Sequence, residues 1–199
     1  MMMTATLLTP ALAAIHERRS VRAYRDDGVD RRMIERLLEA AIWAPSAMNA
    51  QPWAFVVVQD RNLLARLDAD AAAFWLTDPP VAALADRPYE QLEQLRALVR
   101  SPDFSILHGA PTLIVIYATS ALGVPDCYLA AENLLLAATT LGLGTCPIGL
   151  AQPLLDQPAV KAELDVPADH VCALPIVVGH PAVVDPATPR DEPIVLAWR

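Results

Sequence analysis

Between Arg31 and Ala44 the apolar residues Ile34, Leu37, Leu38, Ala41 and Ile42 recur at helical spacing. Asp30 stands where an N-cap carboxylate accepts the first unpaired amides, and Pro45 blocks continuation at the other end. The period then changes. Trp53 to Val58 is a short β-branched and aromatic run between Pro52 and Asp60, the pattern of a buried strand. Asp60 in turn stands at the N-cap of a second helix carrying Leu63, Leu64 and Leu67.

Thr77-Asp78-Pro79-Pro80 interrupts the chain, and an amphipathic stretch follows with Tyr89, Leu92, Leu95 and Val99 on one face. Pro111 opens a continuous apolar strand, Thr112 to Ala118. A long helix begins at Asp126 and ends at the Gly142 and Gly144 pair. Because it is apolar nearly all round, it is expected to be buried on every side. Ala173 to Val178 predicts a third strand, stopped by Gly179-His180-Pro181, and Ile194 to Trp198 a last short one. The Pro-rich stretch from Pro181 to Pro193 predicts an extended arm. Helices and strands mix without strict alternation and without an internal repeat. The expectation is one α+β domain over residues 1–199, with a C-terminal arm from about residue 181.

Composition adds an interface and removes several partners. With 54% apolar and 19% charged residues in 199, the chain carries more apolar surface than one modest domain usually hides, which points to subunit association. A formal charge of −8 opposes binding to a phosphate backbone, so nucleic acid is not expected. Lys161 is the sole lysine, so arginine abundance as such carries no information. Cys127, Cys146 and Cys172 are odd in number and widely spaced, which fits neither a disulfide framework nor a zinc site. Met1 to Pro10 has no basic run before an apolar stretch, and Leu129 to Leu143 falls short of the ~20 residues a bilayer requires. A cytoplasmic protein without a membrane partner or metal is expected.

Three segments carry candidate chemistry. Arg18, Arg19, Arg22 and Arg25 cluster around Ser20, forming either an anion site of forked guanidinium donors near a helix start or a solvated turn. Ala44-Pro45-Ser46-Ala47-Met48-Asn49-Ala50-Gln51-Pro52-Trp53 joins helix to strand; it is either a plain stiffened connection or a set of fixed polar donors and acceptors. Gly142-Leu143-Gly144-Thr145-Cys146-Pro147-Ile148-Gly149 closes a helix, whereas a dinucleotide fingerprint opens one, so a Rossmann domain is not expected. The glycines either cap the helix or let a flat ring approach the backbone.

Taken in order, Arg18-Arg19-Ser20-Val21-Arg22, Ala44 to Trp53, Leu134 to Gly149, and Leu174 to Pro181 resemble the nitroreductase family. The likeness covers most of the chain and thins between Leu67 and Phe104. It implies an α+β sandwich with a mainly antiparallel central sheet flanked by helices, an intertwined homodimer, and FMN in two symmetric interface clefts. Carried over by position, it puts Arg18, Ser20 and Arg190 at the flavin phosphate, Arg19 as a further donor, and Arg22 at the pyrimidine edge. Pro45, Ser46, Met48, Asn49 and Gln51 would reach the ribityl chain and ring from the other subunit, and Pro147, Ile148 and Gly149 would offer backbone groups along the N5 edge. Many members carry an acid where this chain has Ile148, and the usual Asn or Lys of the middle region has no counterpart.

The implied reaction takes hydride from NAD(P)H onto flavin N5 and passes it to a small electron-poor acceptor, a nitroaromatic or quinone, by a ping-pong course. It requires no catalytic side chain. His16, His108, His170, His180 and Cys146 read as structural, and Trp43, Phe74, Trp75, Tyr89 and Phe104 as core or pocket wall. Three alternatives stay open: an FMN-sequestering module without turnover; another reductive chemistry on the same fold, such as dehalogenation, enone reduction or flavin fragmentation; and a structural helical dimer without flavin.

Overall fold

A computed structural model describes residues 9–77, 89–101, 103–183 and 186–199. Its helices are α1 (Pro10–Glu17), α2 (Arg31–Ile42), α3 (Arg61–Thr77), α4 (Tyr89–Val99), α5 (Val124–Thr140), α6 (Gln152–Leu155) and α7 (Pro158–Glu163). The strands are β1 (Trp53–Val58), β2 (Thr112–Ala118), β3 (Gly144–Pro147) and β4 (Val171–Gly179). The two expected caps form: Asp30 accepts the Arg32 amide at 2.7 Å, and Asp60 accepts the Leu63 amide at 2.8 Å. The chain break at Asp78-Pro79-Pro80 and the side chains of Tyr89 and Leu92 lie outside the described residues.

The sheet runs β1-β2-β4-β3 with every neighbour antiparallel. β2 shows why its sequence is apolar throughout. Leu113, Val115 and Tyr117 pack toward the cluster holding Leu64, Leu67, Trp75 and Leu155, while Ile114, Ile116 and Ala118 pack toward Ile34, Leu37, Ala41 and Leu134 on the opposite face. Helices therefore cover both faces, and no position on this strand meets water. Tyr117 resolves its buried hydroxyl by donating to the Leu155 carbonyl at 2.9 Å.

Three sequence expectations change. First, α5 is buried along Cys127, Ala130, Ala131, Leu134, Leu135 and Ala138, but Tyr128 and Leu129 remain 45% and 47% exposed, so one of its faces is open in the single chain. Second, Ile194 to Trp198 forms no strand and is solvent-exposed, because a strand needs a ladder partner and the arm has none among the described residues. Third, Gly144 to Pro147 is a strand as well as a glycine-rich exit. Glycine and proline depress its strand signal, and only pairing with β4, from Gly144 opposite Gly179 to Pro147 opposite Ile176, reveals it.

Candidate active site

The arginine segment is positioned by β3. Ser20 bridges Thr145 in parallel, and the Val21 amide donates to the Thr145 carbonyl at 2.9 Å, so residues 20–24 extend the sheet past its last strand. The approach is close: a Cβ on Gly144 would lie 2.9 Å from the Val21 side chain. Farther along, Tyr24 bridges Pro181, and a Cβ on Gly179 would meet Tyr24 at 2.7 Å. Both glycines are required by packing, since any side chain would push the arginine segment off the sheet.

Arg18 follows α1 directly and caps it, its amide donating to Ala14. This corrects the expectation of a nearby helix start: the arginines lie at a helix C-terminus, whose dipole favours cations but repels an anion. An anion here must be held by side chains. Side chains do converge: Arg18, Arg19, Ser20, Arg22 and Arg190 line one polar cavity of about 400 Å³ with Pro186 and Thr188. Arg19 donates three hydrogen bonds, to the carbonyls of His16, Arg18 and Pro186, stitching the C-terminal arm to the cluster. Among the described residues, Arg22 and Arg190 donate only to local carbonyls. Glu132 approaches Arg18 at 4.0 Å and is 54% exposed, so it neutralises little. Arg25 turns away to Asp27.

Arg22 also belongs to a second cleft, mainly apolar and about 330 Å³, lined by Leu98, Phe104, Ile106, His108, Cys146 and Pro147 to Leu150. Within Pro147-Ile148-Gly149 the offer of backbone groups narrows. Proline has no amide, and the Ile148 amide is already given to the Pro175 carbonyl at 2.8 Å. Gly149 keeps its N–H unpaired among the described residues, and a Cβ there would meet nothing within 4 Å. Trp75 braces this turn from α3, its indole N–H donating to the Leu150 carbonyl at 2.6 Å.

The Pro45 to Gln51 loop does not join these cavities within its own chain. Met48, Asn49 and Gln51 all have positive φ, and Met48 is wholly exposed. Ser46 Oγ accepts the Gln51 amide at 3.0 Å, and Asp126 accepts the Ala47 amide at 3.2 Å, so the loop is held in this unusual shape from beneath. Among the expected structural residues, Trp75 is core and Phe74 packs against it, Trp43 is 80% exposed, and Phe104, His108 and Cys146 instead line the apolar cleft. His108 reads as structural from the residues alone, because a left-handed turn beside Arg22 exists only in three dimensions. Burial and the Arg22 charge hold its imidazole pKa below the usual histidine range, with Asp68 opposing.

Among the described residues no side-chain cluster could hold a metal, and no helix is long and apolar enough to cross a membrane. Residues 15–180 match the family model described as Nitroreductase family. Nitroreductase NfnB of Mycolicibacterium smegmatis is 30% identical over 82% of this chain and 80% of its own. The FMN reductase [NAD(P)H] of Bacillus subtilis is 26% identical over 92% of this chain and 70% of its own. The solved nitroreductase with bound FMN from Bacteroides fragilis superposes with a TM-score of 0.77 at 27% identity, covering 96% of this chain and 100% of that one.

Proposed function

This chain belongs to the nitroreductase family, and from that premise we propose that it is a homodimeric, FMN-dependent oxidoreductase that moves hydride from NAD(P)H to a small electron-poor acceptor, a nitroaromatic or a quinone. The observation that carries this reading is the junction at Arg22 of a polar cavity lined by four guanidinium groups and Ser20 with an apolar cleft floored by Pro147 to Gly149. FMN has the matching halves, a dianionic phosphate and a flat, largely apolar ring. Arg18, Ser20 and Arg190, with Arg19, hold the phosphate by charge-assisted hydrogen bonds. Arg22 stands between the halves, where its fixed positive charge favours the electron-rich, reduced ring. The Gly149 amide is the donor left for the ring edge. When bound, FMN supplies the hydride-accepting N5, and the protein contributes position and electrostatics.

Residues 1–199 act as one domain whose arm, from about residue 181, embraces a second copy. Exposed Leu12 and Ile15 on α1, Tyr128 and Leu129 on α5, and Ile194, Leu196 and Trp198 on the arm support this, because soluble monomers rarely leave so much apolar surface wet. The same association delivers the other subunit's Pro45, Ser46, Met48, Asn49 and Gln51 to the cofactor. Cys127, Cys146 and Cys172 form no disulfide, which fits a cytoplasmic setting.

The test is the visible spectrum of the purified protein, identification of the released flavin, and stopped-flow mixing. NAD(P)H alone bleaches the flavin, a quinone added afterwards restores it, and initial-rate plots are parallel. Colourless protein that takes up no FMN refutes the reading; bound FMN that NAD(P)H cannot reduce marks a sequestering module instead.

A further inference from the structure

His108 occupies a turn built to present it. Its φ is +55°, and that of Gly109 is +63°. Asp68 accepts the Leu107 amide at 2.7 Å, Ser105 Oγ accepts the Gly109 amide at 3.1 Å, and the Ser105 carbonyl accepts the His108 amide at 3.2 Å. A left-handed histidine persists only where its surroundings impose it, and such residues gather at functional sites. Here the conformation sets the imidazole in the apolar cleft with Arg22, Cys146 and Ile148, edge-on to Phe104 at 6.4 Å between ring centres. No hydrogen bond among the described residues satisfies either ring nitrogen.

We propose that His108 carries the proton of the reaction, taking it from solvent as the bound flavin is reduced and giving it to the acceptor as hydride leaves. The inference rests on the flavin reading above. NAD(P)H gives up two electrons and one hydrogen as hydride; the ring gains one negative charge, and the imidazole gains one proton, leaving the pair neutral. For a quinone, hydride from N5 and the proton from His108 convert two carbonyl oxygens into two hydroxyls, and the flavin and imidazole return to their starting states.

The electrostatics support this direction. Among the described residues, the charged and titratable groups facing His108 are Arg22 from the segment beside β3, Asp68 from α3 and Cys146 from β3, while α4 contributes the apolar Leu98. Burial and Arg22 both disfavour the charged imidazole before reduction. Negative charge arriving next to Arg22 offsets that repulsion and draws a proton onto the ring.

The FMN-loaded protein and His108→Asn, which tolerates the left-handed turn without titrating, are compared by spectroelectrochemical titration between about pH 6 and pH 8. Wild type takes up two protons per two electrons and the variant one, so the dependence of midpoint potential on pH is twice as steep in wild type. Equal slopes overturn the proposal while leaving the flavin reading intact; failure of wild type to bind FMN overturns both. If the variant does not load, NMR titration of the wild-type imidazole in contact with Phe104 decides: its pKa rises on reduction, and an unchanged pKa refutes the proposal.

Discussion

Arg18→Ala tests the polar cavity most directly. The side chain is only 21% exposed, with Glu132 as its one carboxylate neighbour among the described residues, at 4.0 Å, and it lines the cavity with Arg19, Ser20, Arg22 and Arg190. A hydrogen bond to a charged group contributes about 1.5–3 kcal/mol. At 1.4 kcal/mol per decade, FMN affinity should fall about 10- to 150-fold. Arg18 also sits at the C-terminus of α1, where a cation stabilises the fold by about 0.3–1 kcal/mol, so the apo variant should melt slightly earlier. Two effects that differ in size are separable by ligand. Equilibrium fluorescence titration is run with FMN and with riboflavin, which has the same ring and no phosphate. Riboflavin affinity should stay within about twofold on the same scale. If both flavins lose affinity alike, the damage lies in the fold or the ring cleft; if neither does, Arg18 does not hold the phosphate. Either result refutes the placement.

Gly144→Ala should cost about 1–3 kcal/mol by overpacking Val21, read as a lower urea midpoint, and should weaken FMN by displacing Ser20 to Arg22; an unchanged midpoint would contradict the close approach seen at 2.9 Å. Leu129→Glu puts a charge on the open face of α5, so sedimentation at micromolar concentration should shift from dimer to monomer with loss of bound FMN; a stable, flavin-loaded dimer would place the interface elsewhere. For pH, folding depresses the His108 pKa, so the fold binds fewer protons than the unfolded chain: stability is fully present above about pH 6.5 and falls as pH drops toward the folded value. His108→Asn should flatten that part of the apo melting-temperature profile, and parallel profiles would show that His108 titrates normally.

Elements whose signal is local are readable from consecutive residues. Trp53–Val58 and Thr112–Ala118 form at the expected residues because a strand covered on both faces must be apolar at every position, and that requirement is written in consecutive residues. Asp30 and Asp60 mark helix starts because a cap acts within three residues. The arginine cluster was legible as a cluster, and the resemblance to the nitroreductase family assigned Arg190 to it from far along the chain. Tertiary structure decided the rest. β3 exists because β4 pairs with it, overriding glycine and proline. The Ile148 amide is unavailable because Pro175 stands opposite it, and His108 faces Arg22 because Asp68 and Ser105 bend the intervening turn. Ile194 to Trp198 shows the same rule from the other side: its strand-like sequence stays unpaired and exposed among the described residues, since β-structure depends on a partner's backbone and no spacing along one chain can supply that.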